Sequence, residues 1–141
     1  MRRVPTAPSL LSLLIPVAGC AADAVVDLSV QAWDARIVSQ AEVVVCNARD
    51  RSEVLERVTL APSSGSTVTL PADGAAVAFA ATTSDGLCGA TCQVELDPDA
   101  SIRTALVLHP CVACPTLEAT AANVCRDPLC FMTEPELSGC E

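Results

Sequence analysis

Ser101-Ile102-Arg103-Thr104-Ala105-Leu106-Val107-Leu108 reads with a period of two, placing Ile102, Thr104, Leu106 and Leu108 on one face and Arg103 on the other. That alternation is the signature of a strand with one buried side. The text before it has the same grammar. Thr91 to Leu96 sets Cys92, Val94 and Leu96 against Gln93 and Glu95, and Asp97-Pro98-Asp99 is a tight turn with proline in its favoured second place. Further upstream, Val26, Leu28, Val30 and Ala32 alternate with Asp27, Ser29, Gln31 and Trp33, and Asp34 to Gln40 reads as a loop. Ala41 to Ala48 carries Val43-Val44-Val45-Cys46, apolar on both phases, which predicts a central rather than an edge strand. Asn47 to Ser52 is a charged turn. Glu53 to Leu60 fits a helical turn as well as a strand and is read as a strand. Pro62-Ser63-Ser64-Gly65 and Pro71-Ala72-Asp73-Gly74 are turns around the alternating Ser66 to Leu70, and the second leads into a central strand, Ala75 to Thr83, closed by Asp85-Gly86.

Short strands at this rhythm, joined by Gly, Pro and Asp turns, predict a mainly β chain: a small antiparallel β-sandwich of six or seven strands over residues 25–110. Residues 111–141 differ in composition and hold five of the nine cysteines. There, Pro115 followed by Thr116 to Val124 predicts a short helix opened by proline at its first position. The rest, interrupted by Pro128 and Pro135, is expected to be irregular. The core should be thin, because the apolar residues are mostly Ala, Val and Leu, with two Phe, one Trp and no Tyr. Covalent staples would help such a chain.

Residues 1–19 have three parts: a positive start (Arg2, Arg3), a short apolar centre from Leu10 to Ala18, and small residues before Cys20. This is a signal-peptide pattern, and the apolar centre is far shorter than the ~20 residues of a spanning helix. The tetrad Val17-Ala18-Gly19-Cys20 resembles the lipobox of bacterial lipoproteins, in which an aliphatic residue and two small ones precede a lipid-bearing cysteine. The resemblance implies cleavage before Cys20, diacylglycerol on its thiol and acylation of the new amino group. It also implies a lipidated tether over 20–24 and a membrane partner reached through that anchor. Ala21 and Ala22 follow Cys20, and Asp23 comes too late to act as an inner-membrane retention signal, so the implied location is the outer membrane. The strand rhythm itself resembles the Ig-like and transthyretin-like (carboxypeptidase regulatory-like) modules of envelope lipoproteins, which implies a fold class and no activity.

Setting Cys20 aside for lipid leaves Cys46, Cys88, Cys92, Cys111, Cys114, Cys125, Cys130 and Cys140, an even number, as four disulfides in an oxidising envelope require. If the strands run up and down, the tip with Cys88 and Cys92 falls beside Cys111. Two pairings follow: that tip joined to Cys111 and Cys114, or Cys88 closed locally on Cys92. Cys46 is left in either case for a cysteine of the tail. Cys111-Val112-Ala113-Cys114 has a redox-like spacing, but a redox motif wants a strand-to-helix junction in a βαβ setting. A c-type haem would need His where Pro115 stands, and a zinc site would need a second knuckle that Cys125 and Cys130 are too far apart to form.

After Cys20 the chain has six basic and all seventeen acidic residues, a net charge of −11, with no lysine and no basic run. That argues against a nucleic-acid partner. His109, the sole histidine, falls on the surface phase of the last strand, and no Gly-x-Ser-x-Gly elbow accompanies it. Ser84 with Asp85 and Ser101 with Asp99 read as turn residues, and so do the aspartates Asp73, Asp85, Asp97 and Asp99, which lack the EF-hand spacing. Trp33 lies out of phase with the apolar face of its strand, as a contact for a sugar or partner or as a cover for the sheet edge. The expectation is a non-catalytic envelope lipoprotein with a binding or structural domain, no metal or other cofactor, and an unidentified protein or glycan partner. The alternative is a thiol-redox or metal-handling protein acting through Cys111 and Cys114.

Overall fold

A computed structural model of the 141-residue chain describes residues 23–61, 66–71, 76–97, 101–133 and 137. The readings placed on the leader, the lipobox, Cys20, Cys140, Asp73 and Asp99 lie outside these residues. Eight strands are described: β1 (Asp23–Ala32), β2 (Ala41–Asn47), β3 (Val54–Leu60), β4 (Ser66–Pro71), β5 (Ala76–Thr82), β6 (Leu87–Ala90), β7 (Val94–Glu95) and β8 (Ser101–Pro110). Two short helices follow, α1 (Ala121–Arg126) and α2 (Pro128–Phe131). The chain is mainly β with a partly helical C-terminal segment.

The strands form one hydrogen-bonded path, β3-β2-β5-β6-β8-β1-β4, with β7 paired to β5 off the path. It curls into a nearly closed barrel rather than dividing into two separate sheets. The period-two text is what folds it this way. Along β1 every second residue, from Ala24 to Ala32, is buried, and the residues between are exposed. Val26, Leu28 and Val30 meet Val43, Val45, Phe79, Leu106 and Leu108 in the main core. One pairing departs from the antiparallel expectation. β1 and β8 run parallel, from Val25 opposite Ser101 to Ala32 opposite Leu108. No hairpin links them, and the six intervening strands give the chain room to bring its last strand in beside its first in the same direction.

β2 lies between β3 and β5, as its two-phase apolar text predicts. Val43 and Val45 face the main core, whereas Val44 and Cys46 face a second cluster with Ala78, Ala80, Cys88, Ala90, Val124, Cys125 and Phe131. The C-terminal segment thus covers the outer side of β2, β5 and β6. This explains why these strands lost their alternation, being buried on both faces.

Two local expectations need correction. The single strand expected over Thr91 to Leu96 is a two-residue β7, preceded by β6, which the reading of Cys88 as part of a loop tip overlooked. All four residues of β6 are buried, so no polar phase marks it. In the tail, the helix does not start at Pro115. It starts after Thr120, whose side chain accepts a hydrogen bond from the Asn123 N–H at 3.2 Å, an N-cap that supplies the missing partner for the first turn. Proline-first geometry instead belongs to α2, where Pro128 opens a stretch expected to be irregular.

Candidate functional site

Seven of the eight candidate cysteines are described, and all seven are disulfide-bonded. Three pairs are Cys46–Cys125, Cys88–Cys111 and Cys114–Cys130, with Cα separations of 6.3, 5.1 and 5.3 Å. Cys88 with Cys111, and Cys46 with the tail, agree with the pairings read from the strand layout. Joining the tip to Cys114, or closing Cys88 on Cys92, does not. Cys114 turns the other way, toward α2, because the chain after β8 leaves the strand end and crosses the outer cluster. Cys111 and Cys114 are therefore bonded to two different partners. Among the described residues no group of three or more His, Cys, Asp or Glu side chains could hold a metal ion.

The bridges have a polar companion that the sequence did not flag. Arg51, in the β2–β3 turn, donates from Nε to the Cys125 carbonyl at 2.6 Å, near the C-terminal end of α1. A cation at a helix C-terminus meets carbonyls that lack intrahelical partners. Burial pushes the Arg51 pKa down, and its Nη2 is buried with no hydrogen-bond partner among the described residues. The only advance signal was an arginine inside a tight Asx-rich turn, in which the Arg49 N–H donates to Asn47 Oδ1 and the Ser52 N–H to Asp50 Oδ1.

A second constellation lies at the end of the barrel where β1 and β8 finish. The Trp33 N–H donates to the Leu108 carbonyl at 2.9 Å, which continues the parallel ladder by one residue and sets Trp33 beside His109. Their rings stack with centroids 6.2 Å apart and planes 11° apart. Trp33 is still 53% exposed, so the indole is not spent on the core. The β1–β2 loop then turns back through Ala35, a non-glycine residue at φ +61°, where the left-handed region costs an L residue about 1–2 kcal/mol. Its N–H donates to the Ala32 carbonyl at 3.1 Å.

This turn aims Arg36 at Asp34. The guanidinium Nε donates to both carboxylate oxygens at 3.0 and 2.9 Å, and Nη2 lies 2.7 Å from Oδ2. The hydrogen bonds from Arg36 hold the Asp34 carboxyl below the usual carboxylate range, and Asp34 in turn raises Arg36. Arg36 also reaches Asp85 of the β5–β6 turn at 3.7 Å. Asp85 accepts a hydrogen bond from the Thr83 hydroxyl, which matches its reading as a turn residue. A depression of about 400 Å³ opens beside these groups, lined by Gln31, Trp33, Ala35, Arg36 and Val38 with Val30 and Ala32. Trp33 and His109 were both singled out in the sequence, but on separate strands. Their meeting required the parallel register. Comparison with protein-family models and with curated protein sequences finds no match.

Proposed function

We propose that the protein is an envelope lipoprotein, held in the outer membrane through lipid on Cys20, whose disulfide-stapled β domain binds or scaffolds and does not catalyse. The observation that carries this reading is the bonding of every described cysteine after Cys20. Such a chain needs an oxidising compartment, and the lipobox resemblance supplies one. Two or more acyl chains give durable anchoring where one is marginal. On this reading Asp23, the first residue of β1, sits close to the bilayer. Ten residues of β1 at about 3.3 Å each separate it from the Trp33 end by roughly 30 Å along the strand. The sandwich reading is supported by a main core that draws on β1 and β8 as well as on β2 and β5, within one continuous sheet.

The alternative, thiol-redox or metal chemistry through Cys111 and Cys114, would require the two sulfurs to act together. Their separate bonds to Cys88 and Cys130 favour the structural reading. The test is fractionation of Cys20→Ser. The expected result is release of the protein from the membrane fraction; retention with the lipids contradicts the anchor.

A further inference from the structure

We propose that the depression beside Trp33 is a saccharide site, which takes the apolar face of a neutral pyranose ring against the indole. The proposal rests on the reading of the domain as a binding module, but not on the lipid anchor. Four features converge there: the chain's one tryptophan, half exposed; His109 stacked on it while not itself lining the depression; a left-handed Ala35 that fixes the loop; and a planar Arg36–Asp34 fork extended to Asp85.

Ligand sites combine an aromatic or apolar wall with a few placed polar groups, and here the polar groups select among ligand classes. An anion is disfavoured, because Arg36 is already shared between two carboxylates and the chain after Cys20 carries a charge of −11. A long aliphatic side chain would find little to fill, since Ala32 and Ala35 are small and Val38 is buried beneath. Ile37, 90% exposed, does not line the depression. A sugar ring fits both halves of the site. Its C–H face packs on the exposed indole, and its hydroxyls meet the Gln31 amide and the Arg36 guanidinium, which Asp34 holds in place. Holding these groups in advance lowers the ordering cost of binding.

The single tryptophan makes the test direct. Mature protein, solubilised in a zwitterionic detergent that carries no sugar headgroup, is titrated with a β-1,4-linked glucose tetramer and with its N-acetylglucosamine counterpart. Trp33 emission and binding heat are followed together. The expected result is a saturable emission change with at least one tetramer, with affinity about tenfold weaker in Arg36→Ala and binding heat lost in Trp33→Ala. Leu129→Ser, on the exposed face of α2, should bind as the parent does. No emission change with either sugar up to roughly 10 mM overturns the proposal, as does a change undiminished by Arg36→Ala. Heat without any response at Trp33 overturns this site while leaving the binding-module reading in place.

Discussion

Gly89 sits where β6 passes closest to β8: a Cβ there would lie 2.5 Å from Leu108 Cδ2 and 2.8 Å from the Val107 carbonyl oxygen. The second of these is backbone and cannot swing aside. Gly89→Ala should therefore destabilise the fold by about 1–3 kcal/mol, the usual cost of overpacking, visible as a lower denaturant midpoint; an unchanged midpoint would contradict the close approach. In the neighbouring β1–β2 loop the Arg36–Asp34 pair makes a pH prediction. Arg36 lowers the Asp34 pKa, so the stability the pair contributes is present above the ordinary carboxylate range and is lost as pH falls through the lowered value. Acidification should loosen the Trp33 loop in a step read by indole fluorescence, and Asp34→Asn should abolish that step. A residue such as Trp33 was legible from its phase alone. Its partnership with His109 was not, because strand alternation tells which face a side chain takes and says nothing about which strand lies next to it.

Elements were legible where one side meets water. β1, β4 and β8 show it, with Asp27, Thr69 and Arg103 marking their outer phase. The four-residue β6 was lost because the tail covers what would have been its polar face. That covering depends on the staples, and they should differ in strength. Cys46–Cys125 spans 79 residues and Cys114–Cys130 spans 16. In the chain-entropy model these loops correspond to about 4.5 and about 3 kcal/mol respectively. Replacing the first pair with alanines should thus lower the unfolding midpoint more than replacing the second, and should also loosen the packing of Val124 and Phe131 on β2 and β5. Equal effects would argue that the tail is held by its own bridge and not by the sheet. Arg51→Ala, which leaves the Cys125 carbonyl without its charged donor, should cost about 1 kcal/mol or more in the same measurement. Because that side chain is only partly buried, a much larger loss would indicate a partner for Nη2.

At the scale of the whole molecule, the nearly closed barrel sets the first strand between the fourth and the last, so both ends of the described β chain are tied into one ladder. Truncating β1 would remove pairings to β4 and β8 together, which makes the segment next to Cys20 part of the fold from Asp23 onward. The cysteine count connects this architecture to the leader: with one thiol assigned to lipid, the others are even in number, and the seven that are described are bonded. The most direct test of that assignment is a non-reducing peptide map of protein taken from the membrane fraction. Alkylation should find no free thiol, Cys111 should be recovered bonded to Cys88 and Cys114 to Cys130, and the peptide beginning at Cys20 should carry acyl chains. A peptide with Cys111 bonded to Cys114, or both thiols readily alkylated beside an unlipidated Cys20, would contradict the account.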